Sequence, residues 1–436
     1  MDANLPILPD HPRVVIIGGG FAGLALAKKL RKQPFQVVML DRNNYYTFQP
    51  LLYQVATGGL EPGSIAYPLR KIFQGDSKFS FRMTDVLRIN PEEKQVETSI
   101  GNISYDHLVV ATGSQTNFFN FAAQEEHMMG LKSVPEALNL RSYILQNFEK
   151  ATISANHQTQ NSLINIAIVG GGPTGVELAG ALGEMKKFVF PKDYPDLDMN
   201  RMRIVLLEAA PKLLGGMSEK ASSRALKDLQ DMGVEVQLNA KVSFYDGAVL
   251  ITEDGFKLPT ETLIWAAGVK GQFPEGIASD KIVGGNRIQV DAFNRVTGCD
   301  GLYVLGDAAA MITPETPRGY PMMAPVAIQQ GQQLGLNLVR TRKGQAWKPF
   351  KYFDKGTMAT IGRNRAVVNF LGQTFHGLIA WLMWMFVHIM YLVGFRNKVA
   401  TLMGWVYNYV TYDRALRLII RPFAKNIRTK NYDKVQ

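Results

Sequence analysis

Two copies of a strand, glycine-turn, helix, strand pattern, beginning near Arg13 and Ile164, predict an α/β protein, and an abrupt apolar tract at 377–395 adds a region of different character. These observations place two Rossmann-like dinucleotide-binding domains in the chain, one inserted in the other, followed by a C-terminal membrane-attachment region.

The first copy opens with Arg13-Val14-Val15-Ile16-Ile17, a buried strand, and continues through Gly18-Gly19-Gly20-Phe21-Ala22-Gly23 into LALAKKLRK. Its second strand, 35–40, ends at Asp41. Gly18 makes a tight turn, Gly20 admits a pyrophosphate close to the backbone, and Gly23 allows helix and strand to pack closely. The helix N-terminus behind them favours an anion. Asp41 then stands where a carboxylate can accept hydrogen bonds from ribose hydroxyls.

The second copy runs from the strand 164–169 through Gly170-Gly171-Gly172-Pro173-Thr174-Gly175 into VELAGALGEM, and its strand 204–207 ends at Glu208. A tract at 188–200 separates helix from strand. Glu208 occupies the place of an added 2′-phosphate and repels it, which favours NADH over NADPH. The alternative is a surface glutamate, with Arg203 or Lys212 receiving the phosphate. Short strands at 108–111, 263–266 and 302–305 lead into Thr112-Gly113, Gly268 and Gly306-Asp307.

After Gly344 the pattern changes. Residues 350–370 suit strands, and 377–395 are almost wholly apolar. As one helix those 19 residues would reach roughly 29 Å, near the thickness of a bilayer core. Trp405, Tyr407, Tyr409 and Tyr412, then Arg414, Arg417 and Arg421, suit a lipid-water interface. His388, inside the apolar run, needs a polar partner or a headgroup. A buried core helix is the rival reading of this tract.

The formal charge of +11 sits mostly beside that tract: from Tyr391 onward nine Lys/Arg face Asp413 and Asp433, a net of +7. An anionic membrane face suits such a cluster. No zinc-finger or RNP-type motif supports nucleic acid as the partner. The six histidines lack metal-ligand spacing, so no metal is expected. Cys299 is the single cysteine, which rules out a redox-active cysteine pair. The N-terminal MDANLPILPDHPR lacks the pattern of a secretory signal, and the enzyme body is expected on the cytoplasmic face of the cell membrane.

The order GGGFAG, Ala111-Thr112-Gly113-Ser114, GGGPTG, Ala266-Ala267-Gly268 and LGDAAA (305–310) resembles the two-dinucleotide flavoprotein oxidoreductases. Within them, NNYYTFQPLLYQVATGGL (43–60), MAPVAIQQG (323–331) and YFDKGTMATIGR (352–363) are similar to the type II NADH:quinone oxidoreductases. The resemblance implies a non-covalently held FAD in the first unit and NADH in the second. It implies flavin contacts from Gly18, Gly20, Phe21, Ala22, Gly23, Asp41, Arg42, Gln49, Val86, Ala111, Thr112, Gly113, Gly306 and Asp307, with Pro50 close by. Asp307 matches an aspartate that bonds the ribityl chain, although a helix N-cap would account for the same residue type. For NADH it implies Gly170, Gly172, Pro173, Thr174, Gly175, Glu208, Ala267 and Gly268. Quinone contacts are implied for Gln49, Tyr53, Ala324, Gln329 and Lys355. Pro325 stands where many members carry the glutamine that makes a usual polar contact to the quinone head.

The resemblance gives catalytic roles to Glu177, Gln329 and Lys355. Glu177, read as lying in the first turn of its helix, could equally be a carboxylate that favours a helix N-terminus. Lys355 could stabilise an anionic quinone or flavin, or could be an exposed loop lysine.

The implied organisation is an FAD domain at 1–118 and 270–335, an NADH domain at 119–269, and a quinone-site and membrane region at 336–436. The implied activity is FAD-dependent oxidation of NADH with two electrons passed to a membrane quinone, without proton pumping. A homodimer with monotopic attachment fits the family. Two alternatives stay open: an NADPH-linked reductase of a naphthoquinone precursor, and a membrane-bound NADH sensor with vestigial activity.

Overall fold

The computed structural model describes residues 5–6, 8–414 and 417–420. Arg421, expected beside Arg414 and Arg417, lies outside them. The helices that position the site are α1 (Phe21–Leu30), α2 (Pro173–Phe188), α3 (Ala324–Arg342), α4 (Leu378–Tyr391) and α5 (Phe395–Thr411). The chain divides into two compact units. The first comprises Met1–Tyr46, Tyr67–Gln115 and Val269–Asp354; the second comprises Thr47–Ala66, Thr116–Gly268 and Lys355–Gln436. This division groups the C-terminal region with the second nucleotide unit.

The first unit is built on a five-stranded parallel sheet in the order Leu302–Val304, His107–Val110, Arg13–Ile17, Gln36–Asp41, Phe79–Met83. Central strands covered on both faces need continuous apolar runs. Accordingly Val14, Val15 and Ile16 are fully buried, with Val15 opposite Val38 and Leu108. α1 packs on α3 where Gly331 faces α1; a Cβ there would collide with the Ala22 carbonyl oxygen. That glycine sets how closely the two helices approach.

The second unit has a four-stranded parallel sheet ordered Glu235–Leu238, Ile204–Glu208, Ile166–Val169, Thr262–Trp265. Ile164, expected in a strand, ends the helix His157–Ile164 instead, and the chain turns extended at Asn165. The tract at 188–200 is partly helical, and its Phe190 stacks on Phe148 with centroids 4.3 Å apart. An antiparallel sheet, Thr357–Gly362, Arg365–Phe370 and Gln373–His376, lies on α2. Gly180 of α2 makes that possible, since a Cβ would strike the Ile361 carbonyl.

The expectation of one continuous apolar helix is corrected. α4 stops at Tyr391, Gly394 takes φ +86°, and α5 begins at Phe395. The 14 residues of α4 span roughly 21 Å, short of the roughly 30 Å bilayer core. No helix among the described residues is long and apolar enough to cross a membrane. Ala380, Trp384 and His388, spaced i, i+4, i+8, form the buried face of α4. Leu378, Ile379, Leu382, Phe386 and Met390 are exposed. α5 repeats this division, burying Asn397, Thr401 and Trp405 and exposing Val399, Leu402, Met403, Val406 and Val410.

Candidate functional site

In the first unit, Gly18 adopts φ +104°, and a Cβ there would collide with the Ala111 carbonyl oxygen. A Cβ on Gly23 would collide with the Gly18 carbonyl oxygen. Gly20, the N-cap of α1, meets nothing within 4 Å. Two glycines are therefore required by the protein's own backbone. The third keeps open the space before the helix N-terminus, where a pyrophosphate fits.

Asp41 closes the turn: Oδ2 accepts from the Gly19 N–H at 2.6 Å and Oδ1 from the Asn43 N–H at 2.7 Å. Burial raises its pKa, while those two N–H groups pull it back toward the charged form. Asp307 accepts from the Ser114 hydroxyl at 2.6 Å. The N-cap of its short 3₁₀ turn is Leu305, so the helix-cap account of Asp307 is set aside. The Gly306 N–H donates to Gln330 Oε1 at 2.7 Å, and the Thr112 hydroxyl donates to the Gln272 carbonyl. Gly113 and Gly306 both take positive φ, at +72° and +67°. Phe21 and Ala22 open α1, Val86 packs against the core, and exposed Arg42 pairs with Asp85 at 3.4 Å.

The second unit repeats the geometry. Gly170 has φ +114°, with a Cβ position 2.6 Å from the Ala266 carbonyl; Gly175 is pressed against the Gly170 carbonyl; Gly172 is open. Pro173 sits at the first helical position, where its missing N–H costs nothing, and Thr174 is exposed beside it. Glu208 Oε2 accepts from the Gly171 N–H at 2.5 Å and Oε1 from the Ala210 N–H at 2.7 Å. Arg203 binds Glu235 through two hydrogen bonds of 2.8 and 2.6 Å, and Lys212 pairs with Glu219 at 3.4 Å. Both candidate phosphate-receiving cations are thus engaged elsewhere. Ala267 is exposed, and Gly268 lies against the Phe119 ring.

Glu177 is the fifth residue of α2, beyond its free N–H groups, so the first-turn placement is corrected. Its side chain is buried in the wall of a cleft with a cavity volume of about 110 Å³, alongside Tyr53, Thr360, Trp384 and Trp405. Oε1 accepts from the Trp384 indole N–H at 3.3 Å and from the Thr360 N–H at 3.4 Å. Burial raises its pKa to about 8 against those two donors. Tyr53 is buried too; burial and the nearby Glu177 raise its pKa, and its hydroxyl accepts from Gln54 Nε2 at 2.8 Å.

Other predicted residues are placed differently. Lys355 is exposed and donates to the Tyr391 hydroxyl at 2.9 Å. Gln49 is exposed next to the half-buried Pro50, its Oε1 3.4 Å from Lys132 Nζ. Gln329 exchanges two hydrogen bonds of 2.9 Å with the Phe353 backbone, which occupies both ends of its amide. Ala324 and Pro325 are the first two residues of α3.

The lipid-facing arginines are a correction. Arg414 turns inward, donating to Glu184 at 2.8 Å and to the Thr57 hydroxyl at 2.6 Å. Arg417 pairs with Asp193 at 2.5 Å and Asp413 at 2.7 Å. Trp405 is buried and donates to Gln54 Oε1 at 2.7 Å. His388 finds its partner within the protein, the Trp384 carbonyl at 2.7 Å, and burial lowers its pKa to about 4. Sequence reasoning missed Trp384, Arg363 and Glu184. The i, i+4, i+8 spacing of Ala380, Trp384 and His388 was the one available signal, small and polar-edged residues along one stripe of an otherwise greasy helix.

A family model for pyridine nucleotide-disulphide oxidoreductases matches residues 12–331, and one for the NDH2 C-terminal domain matches 355–411. The chain is 34% identical over 421 residues to a type II NADH:quinone oxidoreductase of Mycobacterium tuberculosis, covering 93% of this chain and 90% of that one. It is 29% identical over 380 residues to one from Staphylococcus aureus, covering 84% and 92%. Among solved structures, NDH2 from Plasmodium falciparum in complex with NADH superposes with a TM-score of 0.85 at 19% identity, over 94% of this chain and 100% of that one. A sulfide:quinone oxidoreductase from Aquifex aeolicus gives 0.70 at 20%, over 94% and 96%. At such identities the structures show the fold alone. The sequence relatives and the family models go further: this chain belongs to the pyridine nucleotide-disulphide oxidoreductases and, among them, to the type II NADH:quinone oxidoreductases.

Proposed function

We propose that the chain oxidises NADH through a non-covalently bound FAD and passes two electrons to a membrane quinone, without moving protons across the membrane. The observation that carries this reading is the repeated cradle. Each unit presents an open N-cap glycine, Gly20 or Gly172, and a turn-bound acid, Asp41 or Glu208. FAD suits the first unit, where Asp307 stands ready for a polyol chain; NADH suits the second. Bound FAD supplies the redox chemistry, accepting a hydride equivalent and giving up two electrons.

The protein's part is to bind, orient and manage protons. Glu208 selects against a 2′-phosphate by charge. Glu177, with a pKa of about 8, is mostly protonated at neutral pH and holds a proton in the cleft it shares with Tyr53. Lys355 offers a positive charge to an anionic quinone from the same unit. The exposed apolar faces of α4 and α5 seat the chain monotopically in one leaflet, on the cytoplasmic side.

Steady-state oxidation of NADH and of NADPH in detergent, with a panel of quinones, tests this reading. NADH should be strongly preferred and at least one long-tailed quinone reduced. NADPH preference would favour the naphthoquinone-precursor reductase, and NADH binding without turnover would favour a sensor.

A further inference from the structure

Among the described residues, two hydrogen bonds reach the Glu177 carboxyl, and both fall on the same oxygen, Oε1. One donor is backbone, the Thr360 N–H. The other is the Trp384 indole, brought from α4. An indole has one donor and no acceptor, so it bonds only to a lone pair. Oε1 is therefore held as an acceptor, which leaves Oε2 the better placed oxygen for a proton.

Trp384 is itself fixed. It is 2% exposed and stacks on His388 with centroids 4.0 Å apart; the Trp405 ring lies at 5.5 Å. His388 bonds the Trp384 carbonyl, and Trp405 is anchored by Gln54. Among the described residues, the charged and titratable groups sharing the cleft are Tyr53 from the helix Leu52–Ala56, Glu184 from α2, Arg363 after the strand Thr357–Gly362, Tyr409 from α5, and Tyr412, Asp413 and Arg414 beyond it. His388 lies behind Trp384. Arg414 is paired with Glu184, and Arg363 is stacked on Tyr412 at 3.3 Å from the ring centroid.

We propose that Trp384 is a positioning residue for the reaction: its indole N–H fixes Glu177 Oε1, so that the exchangeable proton resides on Oε2. This rests on the reading of Glu177 as the proton-holding group. A hydrogen bond to the carboxylate favours the charged form, so losing the indole donor raises the pKa of Glu177 further.

Two measurements on the full chain in detergent test it. In protein labelled with ¹⁵N-tryptophan, the Trp384 indole N–H resonance should move with pH at a midpoint near 8, and this movement should vanish in Glu177→Gln. In infrared pH titrations, the protonated-carboxyl band lost in Glu177→Gln should shift its midpoint upward by about one unit in Trp384→Phe. An indole signal that does not titrate, or one that titrates equally in Glu177→Gln, overturns the proposal even if Trp384→Phe does not fold. An unchanged carboxyl midpoint in a folded Trp384→Phe overturns it as well. If both spectroscopic results appear but Glu177→Gln turns over quinone at the parent rate, the bond stands and the catalytic reading of Glu177 fails instead.

Discussion

Glu208 Oε2 accepts the Gly171 N–H at 2.5 Å, as Asp41 Oδ2 accepts the Gly19 N–H at 2.6 Å. In both units the acid proposed to meet the nucleotide ribose braces the glycine turn. Replacing Glu208 with Gln keeps an acceptor for the turn and removes the charge that opposes a 2′-phosphate. The ratio of kcat/KM for NADPH to that for NADH should rise by about tenfold, for a charge effect of roughly 1.4 kcal/mol. An unchanged ratio would refute the placement of Glu208 at the ribose.

The glycines of one turn should fail in different ways. A Cβ at Gly20 meets nothing within 4 Å, so Gly20→Val should fold and lose the flavin, giving a colourless chain that melts near the flavin-free parent. Gly23→Val drives a side chain into the Gly18 carbonyl and should lower stability before any question of cofactor arises. Flavin absorbance and thermal melting on the two variants separate these outcomes; a yellow Gly20→Val would reassign the FAD site.

Glu177 makes stability depend on pH in a known direction. Its folded pKa of about 8 lies above the ordinary 4.5. The unfolded chain therefore releases its proton first, and stability is lost as pH rises from about 4.5 through about 8. Glu177→Gln should remove that loss. Its melting temperature relative to the parent should rise across this window and level off above it. A constant difference would mean that the carboxyl is not raised.

Much of this was legible in the sequence. The two glycine turns and their terminal acids declare themselves because strand, turn and helix are local and each glycine has a backbone reason. The C-terminal region was harder to read. Its composition announces lipid, yet the run is cut at Gly394, and Trp384, His388 and Trp405 face inward. Arg414 and Arg417 pair with Glu184 and Asp193, more than two hundred positions away, which no local pattern reveals. Gln329 matched a family motif, but its amide is taken by a backbone 24 residues on.

The pair between Arg414 and Glu184 should matter for stability, because both side chains are mostly buried, at 14% and 24% exposure. Arg414→Ala leaves Glu184, among the described residues, with the Arg363 N–H and strips the Thr57 hydroxyl of its donor. A loss of about 2 kcal/mol in denaturant unfolding is expected. High salt should change it little, as the pair is screened less than a surface one.

Membrane attachment is best tested on the outer face of α4. Removing everything after Gly372 would also remove Trp384 and Ala380 from the core of the second unit, confusing attachment with folding. Leu382→Glu with Phe386→Glu alters only exposed positions, at 52% and 67%. Binding to anionic vesicles should fall sharply while NADH-driven reduction of a hydrophilic dye persists. Retained vesicle binding would remove α4 as the anchor.

The most direct measurement is anaerobic mixing of the purified, flavin-loaded chain with NADH, followed by a long-tailed quinone, with the flavin absorbance recorded throughout. NADH should bleach the flavin rapidly, and the quinone should restore it within the turnover time. A flavin that NADH leaves oxidised, or a reduced flavin that no quinone reoxidises, would contradict NADH-to-quinone electron transfer by this chain.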